Sequence, residues 1–276
     1  MLKKLVYIIL FCLIASKSYA NMLFSKTYIL LDSRRKSDIL ETTNLSTKKM
    51  RYRVHLVNYK QLPNGKYEVV KDNEGQNTAK NLFYVSPKSF ILDNKETQTI
   101  RIMRKSLSNT NLKDLKDGEY RTHLVVREVE DLDPDFSAEE ITEVAKKEET
   151  EGMTIEVKGF MGMSIPVIFR KGELTSSAKI AKATKIIKNN KDVLKLEVAR
   201  NGNKSVRGNL AILANNKEVG KINNFAIYLE NNRRFVEVPL DLTPLKGKEI
   251  KSMKISYKDS ESKKKNVLST LTLNNI

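Results

Sequence analysis

One stretch of the sequence keeps an apolar pattern of period two for much longer than an ordinary β-strand. It reads GMTIEVKGFMGMSIPVIFRKG and covers residues 152–172. Its odd-numbered positions carry eight large apolar residues and one glycine, namely Met153, Ile155, Val157, Gly159, Met161, Met163, Ile165, Val167 and Phe169. Strict alternation predicts a strand with one apolar face, and about seventeen residues is roughly three times the usual strand length.

Two interpretations of this stripe stay open at this point. In the first, the strand crosses a sandwich and its apolar face packs in the core, with a bend at Gly159. In the second, one half packs in its own domain, and the other half offers its backbone edge and alternate side chains to a second chain. An exposed apolar edge normally invites aggregation, so keeping one makes sense when a partner is meant to pair with it.

Short alternating segments separated by turn signals make up most of the remaining chain and predict an all-β fold. Their spacing of about 10–14 residues is typical of β-sandwiches. A Pro-Asn-Gly turn follows one such segment, and Pro87 inside another indicates an edge strand or a bulge. The chain of 276 residues is longer than one small sandwich, so we expect two domains, at 21–171 and 172–276, with a linker at residues 171–178.

The segment before the long stripe differs from the rest in charge. Residues 128–151 include eleven acidic residues against only Lys146 and Lys147. This composition predicts a solvated loop between two strands, at about residues 128–152, with one helical turn near residues 139–146. The long strand is expected to follow the loop at about residues 153–170.

The first twenty residues have the pattern of a cleavable secretory signal peptide. Lys3 and Lys4 precede a short apolar run, and Ser18 and Ala20 occupy the small-residue positions before a cleavage site. The apolar run is too short to span a bilayer. The chain is therefore expected to be exported to the periplasm and not to span a membrane.

The exported chain is expected to begin near Asn21 and to contain no cysteine. The lone cysteine, Cys12, lies in the segment that would be removed, and the bulky Phe11 before it argues against a lipidation motif. A protein exported without cysteine has no disulfides, so its hydrophobic core must be sufficient to hold the fold.

Positive charge exceeds negative charge in the exported chain. Without the first twenty residues, 47 Lys and Arg residues stand against 33 Asp and Glu residues, a net charge of +14. Export argues against nucleic acid as a partner, and the basic residues are scattered along alternating strands. The pattern indicates a solvated basic surface, and a weak preference for anionic partners or a membrane surface stays open.

Residues that would support catalysis or metal binding are scarce. His55 and His123 are the only histidines, and each lies in a strand-like pattern where a structural role is expected. A metal site or a nucleophile–base pair would need more groups. The glycines of residues 201–208, NGNKSVRG, lie between two strands and predict no phosphate-binding loop. We therefore expect no enzymatic activity, no cofactor and no metal.

One long part of the sequence reads VSPKSFILDNKETQTIRIMRKS followed, after a gap, by LKDGEYRTHLVVREV. This part resembles a divergent branch of the PapD-like periplasmic chaperones of chaperone–usher pilus assembly. IPVIFRKG resembles the end of that family's seventh strand, and VARNGNKSVRGNLAIL with RFVEVPLDL resembles its second domain. The resemblance covers about residues 22–241 and depends on the order and spacing of these segments, not on one specific motif.

This resemblance implies two immunoglobulin-like domains in a boomerang arrangement, with no cofactor. It also implies that the first domain lends its seventh strand to a secreted pilin-like subunit that lacks its own last strand. The implied donor residues are Met153, Ile155, Val157, Gly159, Met161 and Met163. The implied core residues of the same strand are Ile165, Val167 and Phe169. A structural salt bridge of the family corresponds here to Glu119 and Arg170.

The sequence departs from the family where the subunit is anchored. The family holds the C-terminal carboxylate of the subunit with two basic residues in the cleft between its domains, but the corresponding positions here carry Tyr28 and Pro166. Lys26 lies on the same strand face as Tyr28 and is a candidate substitute. Arg101 is either structural or part of the cleft.

Two hypotheses from different classes remain. The first is a periplasmic chaperone that stabilises pilus or fimbrial subunits by donor-strand complementation and passes them on, with an outer-membrane usher and a self-capping dimer as further expectations. The second is a secreted two-domain β-sandwich that is itself a structural or adhesive surface protein. A structural domain would bury the whole stripe, whereas a chaperone would leave its leading part exposed or covered by self-association.

Overall fold

The computed structural model describes residues 21–70, 79–106, 115–129, 162–262, 264 and 266–274. In these residues the chain forms two β-sandwiches in series, so the predicted all-β fold of two sandwich domains is confirmed. No helix of the described part is long and apolar enough to cross a membrane. The predicted signal peptide, residues 1–20, lies outside the described residues.

In the described residues, eleven strands belong to the first domain and seven to the second sandwich. The first set is β1 (Met22–Phe24), β2 (Ile29–Leu31), β3 (Ser37–Asn44), β4 (Met50–Val57), β5 (Tyr59–Gln61), β6 (Tyr67–Val69), β7 (Phe83–Ser86), β8 (Ser89–Leu92), β9 (Thr97–Arg104), β10 (Gly118–Val129) and β11 (Gly162–Lys171). The second set is β12 (Ser176–Lys188), β13 (Lys191–Gly202), β14 (Val206–Ala214), β15 (Lys217–Ile227), β16 (Arg233–Pro239), β17 (Ser252–Asp259) and β18 (Val267–Asn274). Nine strands of the first set form the two sheets of its sandwich, and β5 and β6 form a separate two-stranded sheet. Two 3-10 helices, Lys80–Leu82 and Thr243–Leu245, connect strands.

The strand order of the first sandwich is that of an immunoglobulin-type fold. One sheet has the order β1-β3-β9-β7, and the other has the order β2-β11-β10-β4-β8. The successive strands β3 and β4 lie in opposite sheets, as do β9 and β10, which produces the cross-sheet connections of that fold. The first edge strand is divided between the sheets, because β1 pairs with β3 whereas β2 pairs in parallel with β11.

Another strand is divided between the two sheets at Pro87. β7 pairs with β9 of one sheet, and β8 pairs with β4 of the other. Proline has no backbone N–H to donate to a ladder, so it is found at edges and interruptions of sheets. Both β7 and β8 are edge strands, which agrees with the edge position that the sequence indicates for Pro87.

Alternate residues of these strands fill one core between the sheets. In β9, for example, Ile100 and Ile102 are completely buried, and Arg101 between them is exposed. Tyr52 and Phe169 are among the largest fully buried side chains. Each large side chain contributes about 1.5–3 kcal/mol when it is buried, which is how such a sandwich is stable without disulfides.

The second sandwich has its own core between the sheets β12-β13-β16 and β15-β14-β17-β18. Leu196, Ile212 and Tyr257 are fully buried in it. The Tyr257 hydroxyl donates a hydrogen bond of 2.9 Å to the Phe225 carbonyl, so its polar end is satisfied inside the core. The two sandwiches thus have separate apolar interiors.

The connection between the sandwiches is shorter than the sequence indicates. The predicted linker covers residues 171–178, but β11 extends to Lys171, and Ser176 already pairs with Gly202 in the ladder of β12 and β13. Small polar residues are typical of linkers, and their pairing here depends on β13, which the local pattern does not reveal.

The predicted acidic loop begins later than residue 128. Glu128 and Val129 belong to β10, and both side chains are buried. The local acidic composition does not predict this extension of the strand. β10 continues as far as its neighbour β4 pairs with it, up to Val129 opposite Arg51. The rest of the loop and its predicted helical turn lie outside the described residues.

Candidate functional site

The two edges of β11 are paired unevenly. On one edge β11 pairs with β10 along its whole length, from Gly162 opposite Arg127 to Lys171 opposite Gly118. On the other edge it pairs with β2 only at residues 167–169. Within the described residues, no strand pairs with that edge at residues 162–166. We call residues 162–166 the open half of β11 and residues 167–171 its covered half.

Side-chain burial changes close to the same boundary. Val167 and Phe169 are fully buried and Ile165 is 5% exposed, whereas Met163, the next residue on that face, is 38% exposed. The apolar stripe therefore leaves the core between Ile165 and Met163. The other predicted donor residues, Met153, Ile155, Val157, Gly159 and Met161, lie outside the described residues.

The even-numbered face around the covered half is also buried, which alternation alone does not predict. Ile168 packs with Ala226 and Tyr228 of the second sandwich. Pro166 is buried and lies opposite His123 of β10. A signal for this was available, because IPVIF is a continuous apolar run, and such runs indicate strands buried on both faces. β11 thus extends from an open edge into the junction of the sandwiches.

An ion-paired arginine connects the end of β11 to the second sandwich. The Arg170 Nε atom donates a hydrogen bond of 2.8 Å to Glu119, and its Nη1 atom donates one of 2.7 Å to Glu261. Burial opposes the charge of Arg170, but the hydrogen bond from Arg170 to Glu261 and the charge of Glu119 outweigh it and raise the arginine pKa. The backbone N–H of Ser205 also donates to Glu119, at 3.1 Å. The structure brings Glu119 and Arg170 together and adds a second carboxylate.

Tyr28 lies at this junction beside an arginine that the sequence analysis missed. The guanidinium carbon of Arg207 is 4.7 Å from the centre of the Tyr28 ring, and Arg207 donates a hydrogen bond of 2.8 Å to the Tyr228 hydroxyl. Burial, and then the charge of Glu261, raise the pKa of the Tyr28 hydroxyl. No local pattern marks Arg207, because it is one basic residue in the strand VRGNLAILA, and only the junction makes it buried.

The candidate substitute Lys26 already has a carboxylate partner. Its Nζ atom lies 2.6 Å from Asp38, and Arg35 lies 2.8 Å from the same carboxylate. Burial disfavours ionisation of Asp38, but hydrogen bonds from Lys26 and the Ile39 backbone outweigh it and lower its pKa. Arg101 lies exposed on the outer face of β9, opposite Ile39. A shared anchor formed by Lys26, Tyr28 and Arg101 stays a prediction.

A cavity of about 380 Å³ opens at the junction beside Arg170. Arg34 and Lys204 also line it, with Asp32 as the acidic member of its described lining. The Asp32 carboxylate accepts hydrogen bonds of 2.7 Å from the backbone N–H groups of Arg34 and Arg35, which lower its pKa. Because Arg170 is already paired with Glu119 and Glu261, Arg34 and Lys204 are the cations of this cavity that could receive an anion such as a carboxylate.

His123 lies among aromatic side chains. It is buried, and its ring centre lies 5.1 Å from that of Tyr59 and 5.2 Å from that of Tyr67. Burial, together with the charges of Arg121 and Arg207, holds the pKa of His123 well below its ordinary value. In the described residues, no group of three or more His, Cys, Asp or Glu side chains is arranged to hold a metal ion.

Comparisons with known protein families and with curated proteins find no match to this sequence. Among solved structures, the YadV chaperone shares 13% identity and covers 93% of this chain and 100% of its own, with a TM-score of 0.46. The E. coli chaperone DraB shares 11% identity and covers 92% of this chain and 96% of its own, with a TM-score of 0.44.

A third similar structure is a chaperone in complex with a subunit. It is the CsuC–CsuE chaperone–tip subunit pre-assembly complex of archaic chaperone–usher Csu pili from Acinetobacter baumannii, with 14% identity, 92% and 97% coverage and a TM-score of 0.46. These solved structures are pilus chaperones, the class that the sequence resembles. At such identities and TM-scores, the fold assignment of this chain depends on its own strand order.

Proposed function

We propose that this protein is a periplasmic chaperone that binds secreted pilin-like subunits by lending them a strand. The observation that carries the proposal is the open half of β11, where residues 162–166 pair on one edge only among the described strands and Met163 is exposed. The same apolar face continues in the sequence through Met161 towards Met153. A subunit strand added at this edge would form backbone hydrogen bonds and receive alternate side chains, which is β-augmentation.

The energetics are sufficient for such a partner. Each large apolar side chain that the subunit buries contributes about 1.5–3 kcal/mol. Five such side chains, Met153, Ile155, Val157, Met161 and Met163, are available on the proposed donor face. Their sum is of the same size as the association cost of about 4–15 kcal/mol, and backbone hydrogen bonds along the edge add to it.

The cavity beside Arg170 is the best candidate for anchoring the subunit's C-terminal carboxylate. Arg34 and Lys204 line it and would be the cations that receive the carboxylate. Arg170 also lines it, but Glu119 and Glu261 already pair with its guanidinium. The anchor would then differ in position from the one that the sequence resemblance implies.

Copurification tests the proposal. The protein is expressed with the small exported β-proteins of its source, purified, and its partners are identified by mass spectrometry. We expect one such protein to copurify with the wild type and to be lost from the variant Val157→Glu with Met161→Glu. The matched control, Thr154→Glu with Ser164→Glu, adds the same two negative charges on the polar face and should keep the partner.

Two outcomes would contradict the proposal. If the Val157→Glu and Met161→Glu variant is unfolded by circular dichroism and nothing copurifies with the wild type, the stripe is core and a structural or adhesive role is the better explanation. If both variants keep the partner equally, the stripe is not the binding strand. A self-capping dimer stays a prediction, to be tested by the oligomeric state of the free protein. An outer-membrane usher also stays a prediction.

A further inference from the structure

The hairpin of β5 and β6, residues 59–69, leaves the first sandwich and contacts the second. Among the described strands, β5 and β6 pair only with each other. Each is three residues long, and an isolated hairpin of two strands is at best marginally stable in water. The position of this hairpin therefore depends on what it contacts outside its own ladder.

Hydrogen bonds join β5 to one short segment of the second sandwich. The backbone N–H of Gln61 donates a bond of 2.7 Å to the Glu230 carboxylate, and the Gln61 carbonyl accepts one of 2.6 Å from the Asn231 side chain. The Gln61 side-chain oxygen accepts a third, of 3.4 Å, from the Tyr228 backbone. Gln61 and Asn231 are buried, so losing either partner leaves a polar group unsatisfied away from water.

The turn of the hairpin reaches further, to the edge strand β16. The backbone N–H of Phe235 donates a hydrogen bond of 2.7 Å to the Pro63 carbonyl. Gly65 has a φ of +84°, and a Cβ atom added there would lie 2.5 Å from Nη2 of Arg234. Arg234 is held in place, because it also donates to the Ala226 carbonyl. The turn thus requires glycine both for its backbone conformation and for this close approach.

The hairpin also lies behind the middle of β11. Its two tyrosine rings pack on His123, which lies opposite Pro166 in the ladder of β10 and β11. Tyr228, whose backbone donates to Gln61, packs on Ile168. The hairpin therefore contacts the residues that back β11 at residues 166–168, on the face away from the core of the first sandwich.

The second sandwich is thus attached to the first at two separate places. One consists of the ion pairs of Arg170 with Glu119 and Glu261, next to the short connection at residues 172–175. The other is the hairpin, behind Pro166. Four residues of strand separate Arg170 from Pro166, which is roughly 13 Å. A body attached at one point can rotate about that point, whereas a second attachment at this distance fixes its direction.

We propose that the hairpin is a clasp that locks the second sandwich behind β11 in one orientation. Without the hairpin contacts, the second sandwich would pivot about the connection at residues 172–175 and the ion pairs of Arg170. The clasp thereby fixes the direction in which the open half of β11 leaves the junction. The proposal concerns the free protein and holds whichever partner β11 binds.

Distances between two spin labels, measured by pulsed electron paramagnetic resonance, test the clasp. Cys12 lies in the predicted signal peptide, so in the exported protein labels attach only at the introduced Glu41→Cys and Lys195→Cys. Both positions are exposed, on β3 of the first sandwich and β13 of the second. We expect one narrow distance distribution when no other residue is changed.

A matched pair of asparagine variants breaks or keeps the clasp. Asn231→Asp turns the donor to the Gln61 carbonyl into an acceptor, so the distance distribution should become about twofold wider or split. The control is the same change at the next residue, Asn232→Asp. The Asn232 side-chain oxygen accepts a hydrogen bond of 3.3 Å from Arg200, which a carboxylate also accepts, so the narrow distribution should remain.

A pair of glycine variants tests the clasp from the side of the hairpin. Gly65→Ala forces a Cβ atom against Arg234 and should widen the distribution as Asn231→Asp does. Gly247→Ala has a similar backbone strain, with a φ of +73°, but its Cβ atom would meet nothing within 4 Å, so it should leave the distribution narrow.

Circular dichroism confirms that each variant is folded, and if Asn231→Asp does not fold, Gly65→Ala decides. A narrow distribution in a folded Asn231→Asp or Gly65→Ala variant would overturn the proposal. A wide distribution without either change, or equal widening in the control variants, would overturn it as well.

Discussion

The two halves of β11 share one sequence pattern and differ in environment. In the covered half, Val167 and Phe169 are fully buried, and the backbone pairs on both edges at residues 167–169. In the open half, Met163 belongs to the same apolar stripe but is 38% exposed, on a part of the strand that pairs on one edge among the described strands. The difference comes from β2, which is only three residues long, pairs in parallel with β11 and begins at Ile29 opposite Val167. An apolar stripe is therefore evidence for a strand, and its neighbours decide whether it is core.

The largest expected effect is in the covered half. Phe169→Ala removes a fully buried ring that stacks on Tyr120 at 6.4 Å and lies beneath the Arg104 guanidinium at 5.1 Å. We expect a loss of about 3–5 kcal/mol in the free energy of unfolding, measured by urea denaturation. Met163→Ala in the open half is the matched control and should cost less than about 1 kcal/mol. Equal losses would show that the open half is also packed.

The next effect concerns the anchor of the covered half at the junction. Arg170→Met leaves Glu119 buried without its cation, and breaking such a pair costs about 3 kcal/mol. The control is Arg233→Met. The Arg233 side chain is 67% exposed, so loss of its ion pair with Glu197 should lower the free energy of unfolding by less than about 1 kcal/mol. Urea unfolding of both variants measures the difference. A loss at Arg170 as small as the control would mean that the junction does not depend on this pair.

Acid is expected to weaken the boundary between the two halves, where His123 lies opposite Pro166. Burial and the charges of Arg121 and Arg207 keep His123 neutral in the folded protein, because its pKa lies well below the ordinary value. The unfolded chain takes up a proton below about pH 6.5, so the unfolded state binds more protons and stability falls as the pH drops through that value.

A His123→Phe variant keeps the aromatic contacts with Tyr59 and Tyr67 and removes this titration. Between about pH 7.5 and pH 5.5 it should lose about 1 kcal/mol less than the wild type, since one pKa unit corresponds to about 1.4 kcal/mol. His55 titrates in the same direction, because its pKa is also lowered, so His55→Gln measures its separate share. An identical pH slope in wild type and His123→Phe would contradict the assignment.

The smallest effect on stability is expected in the open half. Met163→Glu places a charge at an exposed edge position and should change the free energy of unfolding by less than about 0.5 kcal/mol. On the proposed function, it should still weaken binding of the copurifying subunit by tenfold or more, because a charge would enter the subunit's apolar groove. Ser164→Glu, on the other face of the strand, is the control for binding. If Met163→Glu lowers the free energy of unfolding and leaves binding unchanged, Met163 is part of the core and not of the binding edge.

The sequence predicts some parts of the site and misses others for a common reason. The stripe, the all-β fold and the contact of Glu119 with Arg170 follow from patterns or resemblance along the chain. Glu261 and Arg207 do not, because each reaches the junction from a different strand or turn of the second sandwich. Lys26 was a reasonable substitute by strand face, but Asp38 of β3 takes it as a partner. The proposed donor residues from Met153 to Met161 stay a prediction.

The sequence by itself determined that this chain forms two β-sandwiches, and that an apolar stripe of period two runs from residue 153 to residue 169. Both follow from alternation, turn residues and spacing, which are patterns among residues close together in the sequence. Only the tertiary structure decided where the stripe leaves the core, which cations surround the cavity at the junction and which carboxylates hold Arg170. Those outcomes depend on strands that are far apart in sequence and close in space, and no local pattern encodes where such strands end.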